Sequence, residues 1–318
     1  MRKLFAKNLM NRLSFYLSGT ALFFSLFLAQ PSLGTEDLDA SLLKATENGD
    51  IAVVKKVLAH GAKLETRNSE GWTPLIIAAK SANLELVKLL VGKGAEVNTK
   101  STHKTGSTVL AFASDTDDPA LLKFLLEHGA NINARGSNGN TALYYSISAG
   151  KRKSADFLIS KGADVNQLAY TNERGQTFTP LISAACTGNL EMAELLIKNG
   201  AKTEKRDNFG FTALMEAAKR GFPQSIQFLI SKGANVNARG PSGHTALIFA
   251  AYNGEMKTVK ILLEAGADPL ASATDNDEHP DGGPRYDAAD MAGQQGYPEI
   301  ANIIREAQKK ASSAKVGS

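Results

Sequence analysis

The sequence predicts an all-α repeat solenoid, a stack of helix–turn–helix units about 33 residues long. The first observation is a Gly-Ala pair that recurs at Gly61, Gly94, Gly129, Gly162, Gly200, Gly233 and Gly266. The second is a marker 21 residues before each of these glycines, which is threonine at six of seven positions: Ala40, Thr73, Thr108, Thr141, Thr179, Thr212 and Thr245. Because a unit of this size cannot bury its apolar face alone, the units must stack on one another.

The seventh unit illustrates the two helices that we expect in each repeat. Leu247 and Ala250 mark a short first helix, in which small residues allow close packing, and Gly254 ends it. Val259 and Leu262 mark the apolar stripe of a second helix, which ends at the glycine of the next Gly-Ala pair. Neither helix is long enough to be stable alone, so each pair depends on its neighbours.

The repeated phrases resemble those of the ankyrin-repeat family. Its phrases G-x-T-P-L-x-x-A-A and L-L-x-x-G-A-x-x-N stand here as "GWTPLIIAA", "LLVGKGAEVN" and "FLLEHGANIN", and the resemblance covers about Asp37 to Lys310. It implies β-hairpin fingers at the junctions between units and a role in binding other proteins. Together with the N-terminal segment, it indicates the exported, periplasmic kind of bacterial ankyrin protein.

Residues 1–34 are expected to form a secretory signal. Four basic residues and no acidic one precede an apolar run over residues 13–29, and Ser32 and Gly34 are small residues suited to a signal-peptidase site. We therefore expect cleavage after Gly34 and a periplasmic protein. The alternative is an uncleaved membrane anchor, because the 17-residue run reaches the lower limit for spanning a bilayer.

The charge of the remaining chain is balanced. The sequence has 36 basic and 32 acidic residues, and four basic and no acidic residues precede Thr35, so 32 of each sign remain. This balance argues against a nucleic-acid partner. Cys186 is the single cysteine, which excludes an internal disulfide and leaves the apolar core to hold the fold.

We place about eight units in a repeat domain over residues 35–310. Their predicted ranges are 37–68, 69–100, 101–136, 137–170, 171–207, 208–240, 241–271 and 272–310. Both end units depart from the pattern, as terminal caps do, and a flexible tail over residues 311–318 is expected to follow. Extra residues near His103, between Leu168 and Phe178, and over residues 271–286 are expected to lengthen three fingers.

No catalytic constellation is apparent in the sequence. It contains no G-x-S-x-G, H-E-x-x-H or P-loop motif. The acidic stretch over residues 275–281 alternates in the manner of a calcium loop, but Pro280 and Tyr286 stand where glycine and glutamate are needed. We therefore predict a non-enzyme with no cofactor, no metal and no small-molecule substrate.

The resemblance places a protein-binding surface on the first helices and the fingers. The candidate contact residues near the ends of the first helices are Lys80, Asp115, Cys186, Lys219, Arg220, Tyr252 and Asn253. Cys186 falls in the exposed pair of its unit and is either a reactive thiol or, as we favour, an idle and partly shielded one. They differ between units while the packing positions do not, as a specific binding surface requires. The aromatic candidates are Trp72, Tyr170 and Phe209, whereas Phe178 and Phe211 are expected to pack finger on finger.

A basic residue also recurs in the fingers, six residues before the marker or at the aligned position of a longer finger, at Arg67, Lys100, Arg135, Arg206 and Arg239. The row either faces an acidic surface of a partner or is solvated and neutralised by acids such as Asp207.

The sequence therefore favours an exported, non-catalytic scaffold that is monomeric alone and binds a folded protein across several repeats. The resemblance suggests a periplasmic enzyme as the partner, such as a peptidoglycan hydrolase that is inhibited or guarded against. If the basic row contacts this partner, the partner's facing surface should be acidic. A membrane-anchored adaptor, a secreted effector and a partner in periplasmic oxidative-stress defence are the alternatives.

Overall fold

The computed structural model describes residues 37–170, 175–274 and 285–316. Within these ranges the chain forms 16 α-helices in eight consecutive pairs, and two short two-stranded sheets. This architecture confirms the predicted all-α repeat solenoid. The expected secretory signal lies outside the described residues, as does the acidic stretch over residues 275–281.

The first helix of each pair is short. The first helices are α1 (Leu38–Glu47), α3 (Pro74–Lys80), α5 (Val109–Ser114), α7 (Ala142–Ser148), α9 (Pro180–Cys186), α11 (Ala213–Lys219), α13 (Ala246–Tyr252) and α15 (Ala288–Gln294). The second helices are α2 (Ile51–Ala59), α4 (Leu84–Gly92), α6 (Pro119–Glu127), α8 (Arg152–Ser160), α10 (Leu190–Lys198), α12 (Pro223–Ser231), α14 (Met256–Glu264) and α16 (Pro298–Val316).

The recurring threonine is the N-cap of a first helix. In six units its hydroxyl accepts a hydrogen bond from the amide three residues on, at distances from 3.1 Å at Thr179 to 3.4 Å at Thr73. Asp287 takes this place before α15, where it forms a capping box with Asp290. The marker that revealed the repeat in the sequence is thus the residue that starts each first helix.

The helices form two layers with the core between them. Each first helix packs on the first helices of the neighbouring units, and the second helices form the other layer. Leu75, Leu143, Leu158 and Leu181 are fully buried between the layers. Burial of such side chains stabilises the fold by about 1.5–3 kcal/mol each, so the core supplies what a disulfide framework would otherwise provide.

Side chains at the base of each finger connect one unit to the next. In six junctions a carboxylate or amide oxygen accepts a backbone N–H of the following unit: Glu65 from Glu96, Asn98 from Asn131, Asn133 from Asp164, Asn166 from Lys202, Glu204 from Asn235, and Asn237 from Asp268. At the last junction the Gln308 amide donates to the carbonyl of Pro269 and to Asp287. These bonds fix the relative position of neighbouring units.

Strand pairing occurs only at the three longer junctions of the described chain. The strands β1 (Ala169–Tyr170) and β2 (Thr177–Phe178) are antiparallel, as are β3 (Ser272–Thr274) and β4 (Arg285–Asp287), and Lys100 forms an isolated bridge with Thr108. The other fingers are tight turns, such as the one closed by the Asn68 amide and the Trp72 carbonyl at 3.1 Å. The expectation of a hairpin at every junction was therefore too broad, because a short junction has no room for cross-strand pairs.

The C-terminal end differs from the expected tail. Helix α16 continues past Lys310 to Val316, because the alanine and lysine residues of this segment are good helix formers. In the described part of the chain, no helix is both long enough and apolar enough to cross a bilayer.

Candidate protein-binding face

In two units the fold brings the residue before the threonine marker close to the residue seven positions after that threonine. The finger turns back over the first helix, so a side chain in the finger meets one at the helix end. In the second unit the Lys80 Nζ atom lies 4.0 Å from the centre of the Trp72 ring. Trp72 is half-buried and makes an edge-on contact with Phe112. We call the exposed side of the first helices, with the adjoining finger turns, the first-helix face.

The fifth to seventh units carry a denser version of this arrangement. The Lys219 Nζ atom lies 5.7 Å from the ring centre of Phe211 and 5.8 Å from that of Phe249. The guanidinium of Arg220 lies 5.6 Å from the ring centre of Phe178. Such cation–aromatic contacts contribute about 0.5–1 kcal/mol each at exposed sites. We call these five residues the cation–aromatic cluster.

A buried carboxylate lies beneath the two cations. The side chain of Glu216 is only 1% exposed, and its oxygens lie 3.9 Å from Lys219 Nζ and 3.6 Å from Arg220 Nε. It also accepts a hydrogen bond of 3.0 Å from the Gln176 amide. A carboxylate is buried at large cost unless it is paired and hydrogen-bonded, and Glu216 meets both conditions.

Sequence reasoning missed Glu216. Its position, four residues after the marker, holds Ile77, Phe112, Phe249 and Met291 in four of the other seven units, and Lys44, Tyr145 and Ser183 in the remaining three. An acid in a mostly apolar column is the signal that could have found it.

The cluster borders an open cavity of about 260 Å³. The cavity is lined by Lys219, His244, Ile248, Phe249, Tyr252, Asn253 and Met291, and we call it the Tyr252 cavity. Tyr252 is 47% exposed, which is unusual for an aromatic side chain, and Asn253 is also exposed. The His244 ring stacks on the ring of Phe249 at 5.3 Å. The sequence predicted Lys219, Tyr252 and Asn253, and the structure brings them together.

Two arginines of the finger row each bind the fold's own backbone at two carbonyls. Arg67 Nη1 donates to the carbonyls of Gly71 and Lys100, both at 2.8 Å. Arg206 Nη1 donates in the same way to the carbonyls of Gly210 and Arg239. Neither of these arginines forms an ion pair with a described acidic residue. They connect adjacent fingers. Neither interpretation of the row from the sequence, contact with an acidic partner or a solvated row neutralised by acids, included this role.

Asp207 does not neutralise this row. It is 5% exposed, and its carboxylate accepts hydrogen bonds from the Gln176 amide at 2.9 Å and the Phe211 backbone N–H at 2.8 Å. Arg135 binds the Gly139 carbonyl through Nε at 3.1 Å. Asp207 therefore stabilises the finger from inside and is not available to the exposed cations of the row.

The remaining candidates are scattered. Lys100, Arg239 and Asp115 are exposed, and Phe209 is 40% exposed, each outside the cation–aromatic cluster and the Tyr252 cavity. The side chain of Tyr170 lies outside the described residues. Phe178 is buried and Phe211 packs edge-on against Phe249, so both pack within the fold, although the ring partner of Phe211 lies on α13 and not in a finger.

The placement of Cys186 in an exposed pair was wrong. The residue is only 7% exposed, and burial raises the pKa of its thiol to about 12. Arg220 opposes this shift by favouring the thiolate, while Glu216 adds to it. A cysteine at the end of a first helix was expected to face solvent, but the side chains of the next unit lie beside it.

The described residues contain no group of three or more His, Cys, Asp and Glu side chains placed to hold a metal ion. The side chains that alternate in the manner of a calcium loop belong to Asp275, Asp277, His279 and Asp281, which lie outside the described residues.

The chain belongs to the ankyrin-repeat family. It matches the family described as "Ankyrin repeats (3 copies)" at residues 18–101, 98–169 and 167–240, and "Ankyrin repeat" at residues 242–275. These matches span most of the chain. Proteins of this family are generally non-catalytic interaction scaffolds, and the repeats indicate that this chain is a scaffold for binding other proteins.

Individual relatives resemble only part of the chain. Ankyrin repeat, SAM and basic leucine zipper domain-containing protein 1 is 41% identical over 54 residues in Notamacropus eugenii and 42% identical over 53 residues in Atelerix albiventris. Each match covers 17% of this chain and 11% of the relative. The crystal structure of the ankyrin repeat domain of Bcl-3, described as a unique member of the IkappaB protein family, is similar in fold, with a TM-score of 0.60 and 26% identity over 70% of this chain and 97% of that domain.

Proposed function

We propose that this chain is a non-catalytic scaffold that binds a folded partner protein on the first-helix face of its fifth to eighth units. The observation that carries the proposal is the Tyr252 cavity beside the cation–aromatic cluster. Binding energy in protein interfaces is concentrated in a few aromatic and cationic anchors around a pocket. The face offers both, on helices that are held rigid by the stack, so little ordering is needed on binding.

The partner's facing surface is acidic in this proposal. Lys219 and Arg220 have side chains that are 45% and 44% exposed, whereas the carboxylates of Glu216 and Asp207 are buried beneath them. A partner therefore meets the cations and not the acids. Complementary charge of this kind increases the association rate and the specificity more than the affinity.

We further propose that the chain is exported through its N-terminal segment, and that the partner is a periplasmic enzyme. A peptidoglycan hydrolase that the scaffold inhibits or guards against is the target class that compartment and family resemblance favour. The basic residues before the apolar run and the small residues at 32 and 34 support export.

The test is a pull-down with the tagged chain from Thr35 to Ser318 out of the periplasmic extract of its source. We expect one folded enzyme in stoichiometric amount, and its loss with the double variant Lys219→Glu/Tyr252→Ala. The control is Lys198→Glu/Tyr297→Ala, because Lys198 is an exposed lysine of a second helix and Tyr297 is 38% exposed at the turn between helices. Circular dichroism should show the same helix content in both.

Equal capture by the parent chain and the Lys219→Glu/Tyr252→Ala variant would exclude the first-helix face as the binding surface. The export proposal is tested separately by the mass of the protein from its own cell, which should begin at Thr35. A chain that retains residues 1–34 in the membrane fraction would contradict cleavage and favour an anchored adaptor.

A further inference from the structure

We propose that the Tyr252 cavity receives one apolar side chain of the partner. A carboxylate on that same residue of the partner, or on a residue next to it, pairs with Lys219. The inference rests on the proposed scaffold function, because it specifies what the partner presents at that site. It goes further by assigning a pocket and the chemistry that the pocket recognises.

The cavity has the size and the walls for one ring or branched side chain. Its volume is about 260 Å³, and an apolar cavity of about 150 Å³ is enough to admit benzene. Ile248 and Met291, which are 1% and 4% exposed, form an apolar floor. The exposed ring of Tyr252 and the half-buried ring of Phe249 form aromatic walls. Aromatic rings prefer edge-to-face or offset contacts with another ring, which these walls offer.

The charge of the lining selects a carboxylate. Among the described residues around the cavity, Lys219 is the one with a permanent charge. It also lies at the wall itself, so the complementary group must be within one residue of the inserted side chain. A cationic anchor would be repelled, and a neutral one would leave the ammonium without a partner from the bound protein.

Glu216 restricts where Lys219 can reach. The ammonium lies 3.9 Å from the buried carboxylate and within 5.8 Å of the ring centres of both Phe211 and Phe249. A long lysine side chain loses rotamer entropy when it binds, and these contacts reduce that loss by holding the side chain in advance. Glu216 is thus a positioning residue for the proposed site.

The inference is tested without the partner, using N-acetylphenylalanine as the carboxylate probe and N-acetylphenylalaninamide as its neutral match. Both carry the same ring, and only the first carries the charge. The chain from Thr35 to Ser318 is labelled at the methyl groups of methionine and isoleucine and titrated in NMR. The methyl signals of Met291 and Ile248 report the cavity floor.

We expect saturable shifts of both signals with the acid, and a dissociation constant about five-fold higher for the amide, since a charge pair at 4 Å in water contributes about 1 kcal/mol. Lys219→Gln should make the dissociation constants of the two probes equal, whereas Lys198→Gln should leave the difference between them unchanged. Tyr252→Ala should weaken the binding of both probes, because it removes a wall of the cavity but keeps the charge of Lys219.

Shifts that are absent up to the solubility limit, or equal affinities of the parent chain for acid and amide, would overturn the inference. These outcomes are distinct from failure of the scaffold function. A partner captured through Lys219 and Tyr252 while the probes do not bind would refute only the pocket. Probe binding at the cavity with no captured partner would refute the scaffold function and leave the pocket standing.

Discussion

Arg67 and Arg206 occupy the same place in two units and make the same pair of hydrogen bonds to finger carbonyls. Arg239 shares their position in the sequence, yet its side chain has no hydrogen-bond partner among the described residues. Equivalent residues in a repeat therefore differ in role, because a guanidinium needs carbonyls of the next finger within reach. The carbonyls within reach of each guanidinium therefore determine which basic residues remain available for a partner.

Replacing Arg67 or Arg206 by alanine should lower the free energy of unfolding by about 1–2 kcal/mol, because carbonyls in two fingers lose a charged donor. Arg239→Ala is the matched control and should change it by less than about 0.5 kcal/mol. Urea unfolding followed by circular dichroism measures all three. Equal effects of the three substitutions would contradict the assigned roles.

The buried thiol of Cys186 should be unreactive in the folded chain. The thiolate is the nucleophile, and a pKa of about 12 leaves almost none of it at pH 8. Iodoacetamide labelling followed by mass spectrometry should show modification only after denaturation. Labelling of the native chain as fast as that of the denatured chain would show that the residue is exposed.

The same shift affects stability at alkaline pH. The pKa of Cys186 is raised from 9.0 to about 12, so between these values the unfolded chain has lost a proton that the folded chain keeps. The folded state then binds more protons, and its stability falls as the pH rises above about 9. The stability of the Cys186→Ala variant, measured by thermal unfolding, should fall less steeply between pH 9 and 11 than that of the parent chain. Parallel curves would contradict the assignment.

At the scale of the element, the first helices depend on their caps. Each is six to ten residues long, too short to be stable alone, and each begins at a side chain that accepts an amide hydrogen. The sequence predicted these helices well because capping and apolar spacing are local properties. Glu216 and Cys186 escaped prediction because their burial depends on side chains of neighbouring units.

Substituting Thr245 by alanine should lower the free energy of unfolding by about 1 kcal/mol, because the Ile248 amide loses its acceptor at the start of α13. Thr245→Ser keeps the hydroxyl and should restore most of the loss. Chemical denaturation of the two variants distinguishes the cap from simple packing of the side chain. A serine variant as unstable as the alanine variant would indicate packing.

For the whole molecule, stability comes from contacts between neighbouring units, and the last pair of helices closes the stack. On α16, Asn302, Arg305, Glu306 and Lys309 are exposed, which gives the end a polar surface. The repeat was predictable from the period alone, whereas the continuation of α16 to Val316 was not. Terminal units of a solenoid must differ from internal ones, so the repeat pattern carries least information there.

Removing residues 287–318 should therefore lower the Tm by about 5 °C or more, since 1 kcal/mol corresponds to about 2–4 °C at this size. Fully buried residues such as Ala250 and Leu262 belong to the unit that would lose its cover. Removing only residues 311–318 should leave the Tm within about 2 °C, because its described side chains, at residues 311–314, are exposed or half-buried. Calorimetry of the two truncated chains makes the comparison, and equal losses would contradict the capping role.

The claim that the first-helix face binds the partner is tested by hydrogen–deuterium exchange of the chain with and without the captured protein. The account predicts slower exchange in α9, α11 and α13 and their adjoining fingers, with the second helices unchanged. Protection confined to α8, α10 and α12 would contradict it, because the partner would then lie on the opposite layer of the stack.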